Sequence, residues 1–278
     1  FMLQVWKTQP NLDPAEQAKE LIKEIKAFDA EGEGESIIIA AGGDGTVGAV
    51  ASALQGSDIP LGIIPRGTAN AFSVALGIPT GVKAACTNLL LGNLRRVDVA
   101  VCNDRPMILL AGLGFEAGMV DKASRELKNI LGPMAYIFSG ARQLVDQQPF
   151  RATMQIDGNE YQLDTSAITV ANAAPATSVM AQGFGEVIPD DGLLEVIVAT
   201  PKDRMAGFSV LSSLAWSAIK SSNANHSNIA CFRTKQIEIK LNDVQKLVID
   251  GEVLDAETVT VSVNPQALQV VAPIPLKF

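Results

Sequence analysis

The segment Ala40-Ala41-Gly42-Gly43-Asp44-Gly45-Thr46-Val47-Gly48 holds the first residues suited to chemistry. It follows the apolar run Ile37 to Ile39. It precedes Val47, Val50, Ala51 and Leu54, which have the spacing of a helix face. A strand, a glycine turn and a helix in that order can hold a phosphate on the amides of the helix N-terminus. Read literally, Gly43 to Gly48 also matches G-x-G-x-x-G, the dinucleotide fingerprint. Asp44 sits inside that turn, and a carboxylate repels a pyrophosphate unless a cation stands between them. This favours a magnesium nucleotide over NAD. The dinucleotide pattern also wants an acid after the next strand; this chain has Arg66 there, which suits a 2′-phosphate. No lysine follows the glycines, so the loop is not a Walker A loop. A tight turn without a ligand is the remaining reading.

A second segment, Leu61-Gly62-Ile63-Ile64-Pro65-Arg66-Gly67-Thr68-Ala69-Asn70-Ala71-Phe72, repeats the order strand, glycine turn, helix. Two such turns after successive strands can line the carboxyl edge of a parallel sheet, where ligands bind. Thr68 and Asn70 put a hydroxyl and an amide at that edge, although Thr68 also suits a helix cap. Further on, Asp250 and Glu252 lie two apart, which in an extended strand puts both on one face. Ile-Asp-Gly occurs at 156–158 and again at 249–251. The first copy reads as a plain hairpin turn, and the second can be read the same way.

Other chemistries have little support. His226 is the single histidine and lies in the polar run Ser221 to Asn228, so neither a multi-histidine metal site nor a Ser-His-Asp triad is indicated. Cys86, Cys102 and Cys231 lie far apart and read as reduced, buried thiols. The net charge of −8 argues against nucleic acid and against docking on anionic lipid by charge alone. A local basic patch survives such an average. No apolar run reaches the ~18 residues of a membrane span, and no secretory signal is present. A cytoplasmic protein that meets any lipid at the inner membrane surface is the expectation.

The elements that position these residues change character near residue 97. Before it, helix and strand patterns alternate. Asp13-Pro14-Ala15-Glu16 starts a helix whose inner face is Ala18, Leu21, Ile22, Ile25 and Phe28. Strand 37–41, helix 46–55, strand 61–64, helix 69–76 and helix 81–91 follow, a pattern for a parallel α/β sheet. Phe1 to Trp6 reads as a strand, and a nucleotide domain of this kind usually has a further strand before it. After 97, strands are expected at 97–102, 106–111, 150–157, 160–171, 193–199, 229–241, 244–250, 257–263 and 267–273. Helices are expected at 119–146 and 203–220. Many short strands suggest a sandwich, giving domains 1–97 and 98–265.

GGDGT at 42–46 followed by GIIPRGTANAF at 62–72 resembles the diacylglycerol kinase catalytic superfamily. The nearest branch is the soluble bacterial lipid kinases, relatives of sphingosine kinases. Ala111 to Ala117, Gly132 to Gly140, Asp191-Gly192-Leu193-Leu194 and Val248-Ile249-Asp250-Gly251-Glu252 agree in order. The resemblance implies an α/β nucleotide domain of the NAD kinase and phosphofructokinase kind, then a β-sandwich. The chain end (266–278) returns to the first domain, and ATP lies in the cleft between the two. It implies that Gly42, Gly43, Asp44, Gly45 and Thr46 hold the phosphates, with Thr8, Gly67, Thr68 and Asn70 as further contacts. Asp191 and the carbonyls of Ile188 and Leu193 would bind Mg²⁺. Asp250 and Glu252 would sit at the reacting alcohol, one as general base, with Asp98 nearby.

The implied activity is ATP- and Mg²⁺-dependent phosphorylation of a lipid hydroxyl, with diacylglycerol or a similar alcohol as acceptor. An NAD-kinase-like phosphotransferase and a non-catalytic nucleotide or lipid sensor are the alternatives. A homodimer is one open oligomeric state. The chain departs from the family pattern at Gly48, at Ala71 and in Ala173-Ala174-Pro175-Ala176-Thr177-Ser178. Two apolar stretches, Leu127 to Leu144 and Phe208 to Ile219, read as core helix, as an acyl slot or as a bilayer contact.

Overall fold

The computed structural model describes residues 3–8, 13–30, 36–114, 149–201 and 204–275. The chain divides into two compact units, Phe1–Val97 with Gln266–Phe278, and Asp98–Pro265.

The first unit is α/β. Helix α1 (Pro14–Ala30) starts where the Asp13 carboxylate accepts the Ala15 N–H at 2.8 Å, a side-chain cap ahead of a first-turn proline. Strand β1 (Ile38–Gly42), helix α2 (Asp44–Leu54) and strand β2 (Leu61–Pro65) follow. β1 and β2 pair in parallel, Ile38 opposite Leu61 and Gly42 opposite Pro65. Short helices α3 (Ala71–Ala75) and α4 (Val82–Leu91) complete the run, and Leu89 of α4 lies over Gly62 of β2. Val47, Ala51 and Leu54 of α2 bury with Ile38, Ala40, Leu61 and Ile63. The last strand of the chain returns to this unit, with Val270 parallel to Leu61. The buried Asn88 pins that return by donating to the Val271 carbonyl at 3.0 Å.

The second unit is antiparallel. Its strands are β3 (Leu94–Cys102, shared with the first unit), β4 (Arg105–Met107), β5 (Leu110–Gly114), β6 (Phe150–Ile156), β7 (Asn159–Thr165), β8 (Ala167–Ala171), β9 (Leu194–Ala199), β10 (Ile229–Thr234), β11 (Gln236–Ile249) and β12 (Glu252–Val271, shared). β11 changes partner along its length. Ile237 to Leu241 pair with β6 and Leu247 to Ile249 with β5, around a register shift between Lys240 and Gln245. One ladder then runs β5, β8, β9, β10, and β6 carries β7. Met154, Ile168, Val196, Ile237, Leu247 and Val259 meet in the main core. Helix α5 (Arg204–Lys220) packs Val210, Leu211 and Leu214 against Ile197 and Ala199.

Several expected boundaries change. Residues 3–8 form no strand; Leu3 and Val5 are exposed and no strand pairs with them among the described residues. The 106–111 strand breaks at Ile108 and Leu109, whose amides turn onto a side chain. The 160–171 strand is two, split at Ser166. The 229–241 strand is two, parted at Lys235, and its second part is one bent strand with the expected 244–250; those at 257–263 and 267–273 are one strand. The expected 119–146 helix lies outside the described residues, as does all of Leu127 to Leu144.

Asn88→Leu keeps the branched shape but orphans the Val271 carbonyl. It is expected to destabilise the protein by about 1–3 kcal/mol, read as a lower urea midpoint at unchanged slope.

Candidate active site

In the first unit the two glycine turns leave adjacent parallel strands at the same end. The Arg66 N–H donates to the Gly42 carbonyl at 2.8 Å. A Cβ on Gly67 would stand 2.7 Å from Gly43 Cα and 3.0 Å from Asn70 Oδ1. One on Gly43 would stand 3.2 Å from Gly67 Cα. At Gly67 only glycine permits this approach of backbone to backbone, and at Gly43 a side chain would be tight. Asn70 closes the second turn: its Oδ1 accepts the Gly67 N–H at 2.8 Å, and its Nδ2 donates to the Gly67 carbonyl at 2.9 Å. It does so in the left-handed region (φ 48°, ψ 45°), which asparagine tolerates. Asn70 thus shapes the turn with its amide. It also occupies the cap position of α3, so the exposed Thr68 does not cap that helix.

Helix α2 begins directly after Gly43, which has no side chain to cap it. The Val47 N–H makes the first intrahelical bond, to the Gly43 carbonyl at 3.0 Å. The amides of Asp44, Gly45 and Thr46 come before that bond, among those that helix geometry leaves without an intrahelical acceptor. They form a ready anion site, reinforced by the helix dipole. The glycine cradle and bare amides fit a phosphate group. Asp44 and Thr46 are half-buried and Gly45 is exposed; Thr8 is exposed in the segment before α1.

In the second unit Asp250 and Gly251 form the two-residue turn between β11 and β12, with Ile249 opposite Glu252. Both have positive φ, 49° and 97°, as a type I′ hairpin requires. Asp157-Gly158 makes the same turn between β6 and β7, so both Ile-Asp-Gly copies are hairpins. Their carboxylates differ. Asp157 Oδ1 accepts the Thr234 hydroxyl. Asp250 Oδ2 accepts the Ile108 N–H at 2.6 Å, and its Oδ1 accepts the Leu109 and Leu110 N–H groups at 2.9 Å each. Burial pushes the Asp250 carboxyl up to about 6, against the downward pull of those three donors; the nearby Glu252 charge adds to the rise. Glu252 is 78% exposed, with Arg105 3.5 Å away. A surface contact of that kind contributes little.

Asp98 is 1% exposed and lies within β3. The turn before β9 wraps around it: its N–H donates to the Pro189 carbonyl at 2.8 Å, and its Oδ2 accepts the Gly192 N–H at 2.7 Å. Asp191 belongs to that turn, its Oδ1 accepting the Leu193 N–H at 3.0 Å. Burial raises the Asp191 pKa, and the charges of Asp98 and Asp190 add to it, while Leu193 and Arg233 oppose. An exposed carboxylate with like charges nearby suits a cation. Ile188 and Leu193 flank the same turn. Among the described residues no cluster of three His, Cys, Asp or Glu side chains could hold a metal; a site of one carboxylate and two carbonyls is of another kind.

Asn172 joins the two acidic places. Its Nδ2 donates to the Asp98 carbonyl at 3.1 Å and to the Ile108 carbonyl at 2.9 Å, and the Ile108 N–H is held by Asp250. The motifs did not reveal this role. They also missed Glu195, 2% exposed in an apolar strand, whose carboxyl burial pushes up to about 7 despite Arg233 at 2.7 Å. A lone acid in Leu194–Ala199 was the available signal.

Two family models cover most of the chain: the diacylglycerol kinase catalytic domain at residues 3–102, and the YegS C-terminal NAD kinase beta sandwich-like domain at 111–272. An uncharacterized protein of Synechocystis is 48% identical over 274 residues, 98% of this chain and 63% of that protein. The chain thus spans under two thirds of that relative's length. "Probable lipid kinase YegS" of Escherichia coli is 31% identical over 85% of this chain and 78% of its own length. Among solved structures, a diacylglycerol kinase from Bacillus anthracis aligns with TM-score 0.69 at 19% identity, covering 96% of this chain and 83% of that one. A second crystal structure from that organism reaches 0.77 at 23% identity, covering 96% and 84%. These last two show the shared fold. With both family models matched in order, the chain belongs to the diacylglycerol kinase family, in its YegS-like lipid kinase branch.

Proposed function

We propose that the protein is an ATP-dependent lipid kinase that transfers the γ-phosphoryl group to the hydroxyl of diacylglycerol or a similar lipid alcohol. One observation carries this reading: two apposed glycine turns beside an uncapped helix N-terminus, at the carboxyl end of a parallel strand pair. Such backbone suits a nucleotide triphosphate, with Gly42 to Thr46 and Gly67 to Asn70 around the phosphates and Thr8 as a further contact. Mg²⁺ would be held by Asp191 with the carbonyls of Ile188 and Leu193, and supplies positive charge. Phosphoryl transfer leaves the protein chiefly positioning work and one proton to accept. The alcohol oxygen bonds to phosphorus, the bond to the ADP oxygen breaks, and a carboxylate takes the hydroxyl proton. We assign that proton to Asp250, which burial holds near the pH at which a base works best. Glu252 and Asp98 add negative charge and structure around it. Among the described residues no helix is long and apolar enough to cross a membrane, and the enzyme meets its acceptor from the bilayer surface.

The test is transfer of labelled γ-phosphate from ATP to lipid alcohols in mixed micelles, with NAD⁺ as a soluble acceptor in parallel. Label in diacylglycerol is expected. Label in NAD⁺ alone would replace the lipid reading. Asp250→Asn should lower kcat by roughly 10²–10⁴-fold, and Glu252→Gln by less, both variants retaining ATP binding and the wild-type circular dichroism spectrum.

The two pH dependences of Asp250 run in opposite directions. Its folded pKa is raised above 3.8, so its contribution to stability is full below that value and is lost as pH rises through about 6. A base must be deprotonated, so kcat/KM should climb with pH and level off above about 6. A pH–rate profile with no acid limb there would remove Asp250 from the role.

Gly67→Ala places a methyl against Gly43 Cα. It should weaken ATP binding at least about tenfold, of the order of 1.4 kcal/mol, read by nucleotide titration.

A further inference from the structure

Helix α5 is apolar on two opposite sides. Val210, Leu211, Leu214 and Ser217 are buried beneath it. Met205, Phe208, Trp216 and Ile219 stand 78, 60, 60 and 73% exposed. At about 100° per residue these four fall with Ser212 on one stripe, opposite the buried side. Isolated exposed apolar residues are ordinary, but a row holding Phe, Trp, Met and Ile marks a surface that is covered in use.

Charge selects what covers it. The chain carries 30 acidic residues and a net charge of −8, yet from Arg204 through Ile237 there is no aspartate or glutamate. The same run carries Arg204, Lys220, Arg233 and Lys235. Arg233 is bonded to Glu195, but α5 itself holds no carboxylate and ends in the exposed Lys220, and an apolar stripe with a cation at its end complements an anionic bilayer. The Lys220 ammonium lies 5.3 Å from the Trp216 ring centroid. An indole with a cation at the helix end has the chemistry of a membrane interface, ring among the glycerol groups and ammonium among the phosphates. The stripe's own hydroxyl is satisfied, because Ser212 Oγ donates to the Phe208 carbonyl at 2.9 Å and needs no water.

We propose that the outer face of α5 is a docking surface that lies flat on an anionic lipid bilayer. Met205, Phe208, Trp216 and Ile219 enter the acyl boundary, and Lys220 reaches the headgroups. The proposal deepens the lipid-kinase reading by naming the surface that brings the enzyme to its substrate, but vesicle binding is measured without turnover, so the two can fail separately.

The experiment uses the full chain carrying Trp6→Phe, which leaves Trp216 as the single indole of a chain with two tryptophans. It is mixed with vesicles of phosphatidylcholine alone, or of phosphatidylcholine and phosphatidylglycerol in equal parts. Co-sedimentation with the anionic vesicles is expected, with a blue shift of Trp216 emission and loss of binding at high salt. Phe208→Ser combined with Ile219→Ser alters exposed positions only. It should weaken vesicle binding at least about tenfold while leaving phosphorylation of a short-chain, water-soluble diacylglycerol unchanged. Equal binding of wild type and double variant, or no binding to either vesicle, overturns the proposal. So does sedimentation velocity showing a wild-type dimer that the double variant converts to monomer, which would make the face an interface between copies. A short-chain diacylglycerol that accepts no phosphate counts against the kinase reading, not against the docking surface.

Discussion

Three consecutive amides, those of Ile108, Leu109 and Leu110, converge on the Asp250 carboxylate. Successive residues of an extended strand alternate in direction, so this convergence cannot occur within one. It ends β4 and starts β5 afresh, and the Leu110 carbonyl takes the Asp250 N–H in return at 3.0 Å. The hairpin that presents Asp250 therefore sets the register of a strand distant in sequence. Asn172 extends the constraint to the backbone of Asp98, and the turn around Asp98 carries Asp191. The Asp250 carboxylate is thus linked, through Ile108 and Asn172, to the backbone that carries Asp98 and to the turn of Asp191.

The two units treat charge in opposite ways. The first presents bare backbone: glycines, helix amides and an asparagine that shapes a turn without lending a charge. Arrangements of this kind attract anions. The second collects carboxylates, held by backbone donors more than by cations. Among the buried ones Glu195 has a cation, Arg233, which is also stacked 4.6 Å from the Phe184 ring.

Local signals in the sequence carried the fold class and many elements. Asp13-Pro14 fixes the start of α1, two glycine turns follow short apolar strands, and Asp157-Gly158 closes a hairpin. These depend on neighbours within a few residues. The break at Ile108 depends on a carboxylate 142 residues away, which no window over 106–111 contains. The strands expected at 257–263 and 267–273 are one, because β12 runs through Asn264-Pro265-Gln266 with Gln266 at φ 51°. Leu3 and Val5 have strand-like residues but no strand beside them. The glycine residues of the candidate site were legible because backbone geometry demands them. The Asp98–Asn172–Asp250 connection was not, because tertiary hydrogen bonds create it.

Strand β12 begins in the second unit and finishes in the first, where Val270 lies beside Leu61. The second unit is a single continuous segment, and the first is not. A cut within β12 after Pro265 would therefore leave the whole segment of the second unit but take from the first unit the strand beside β2. The edge of β2 would then be an open template for pairing with other chains.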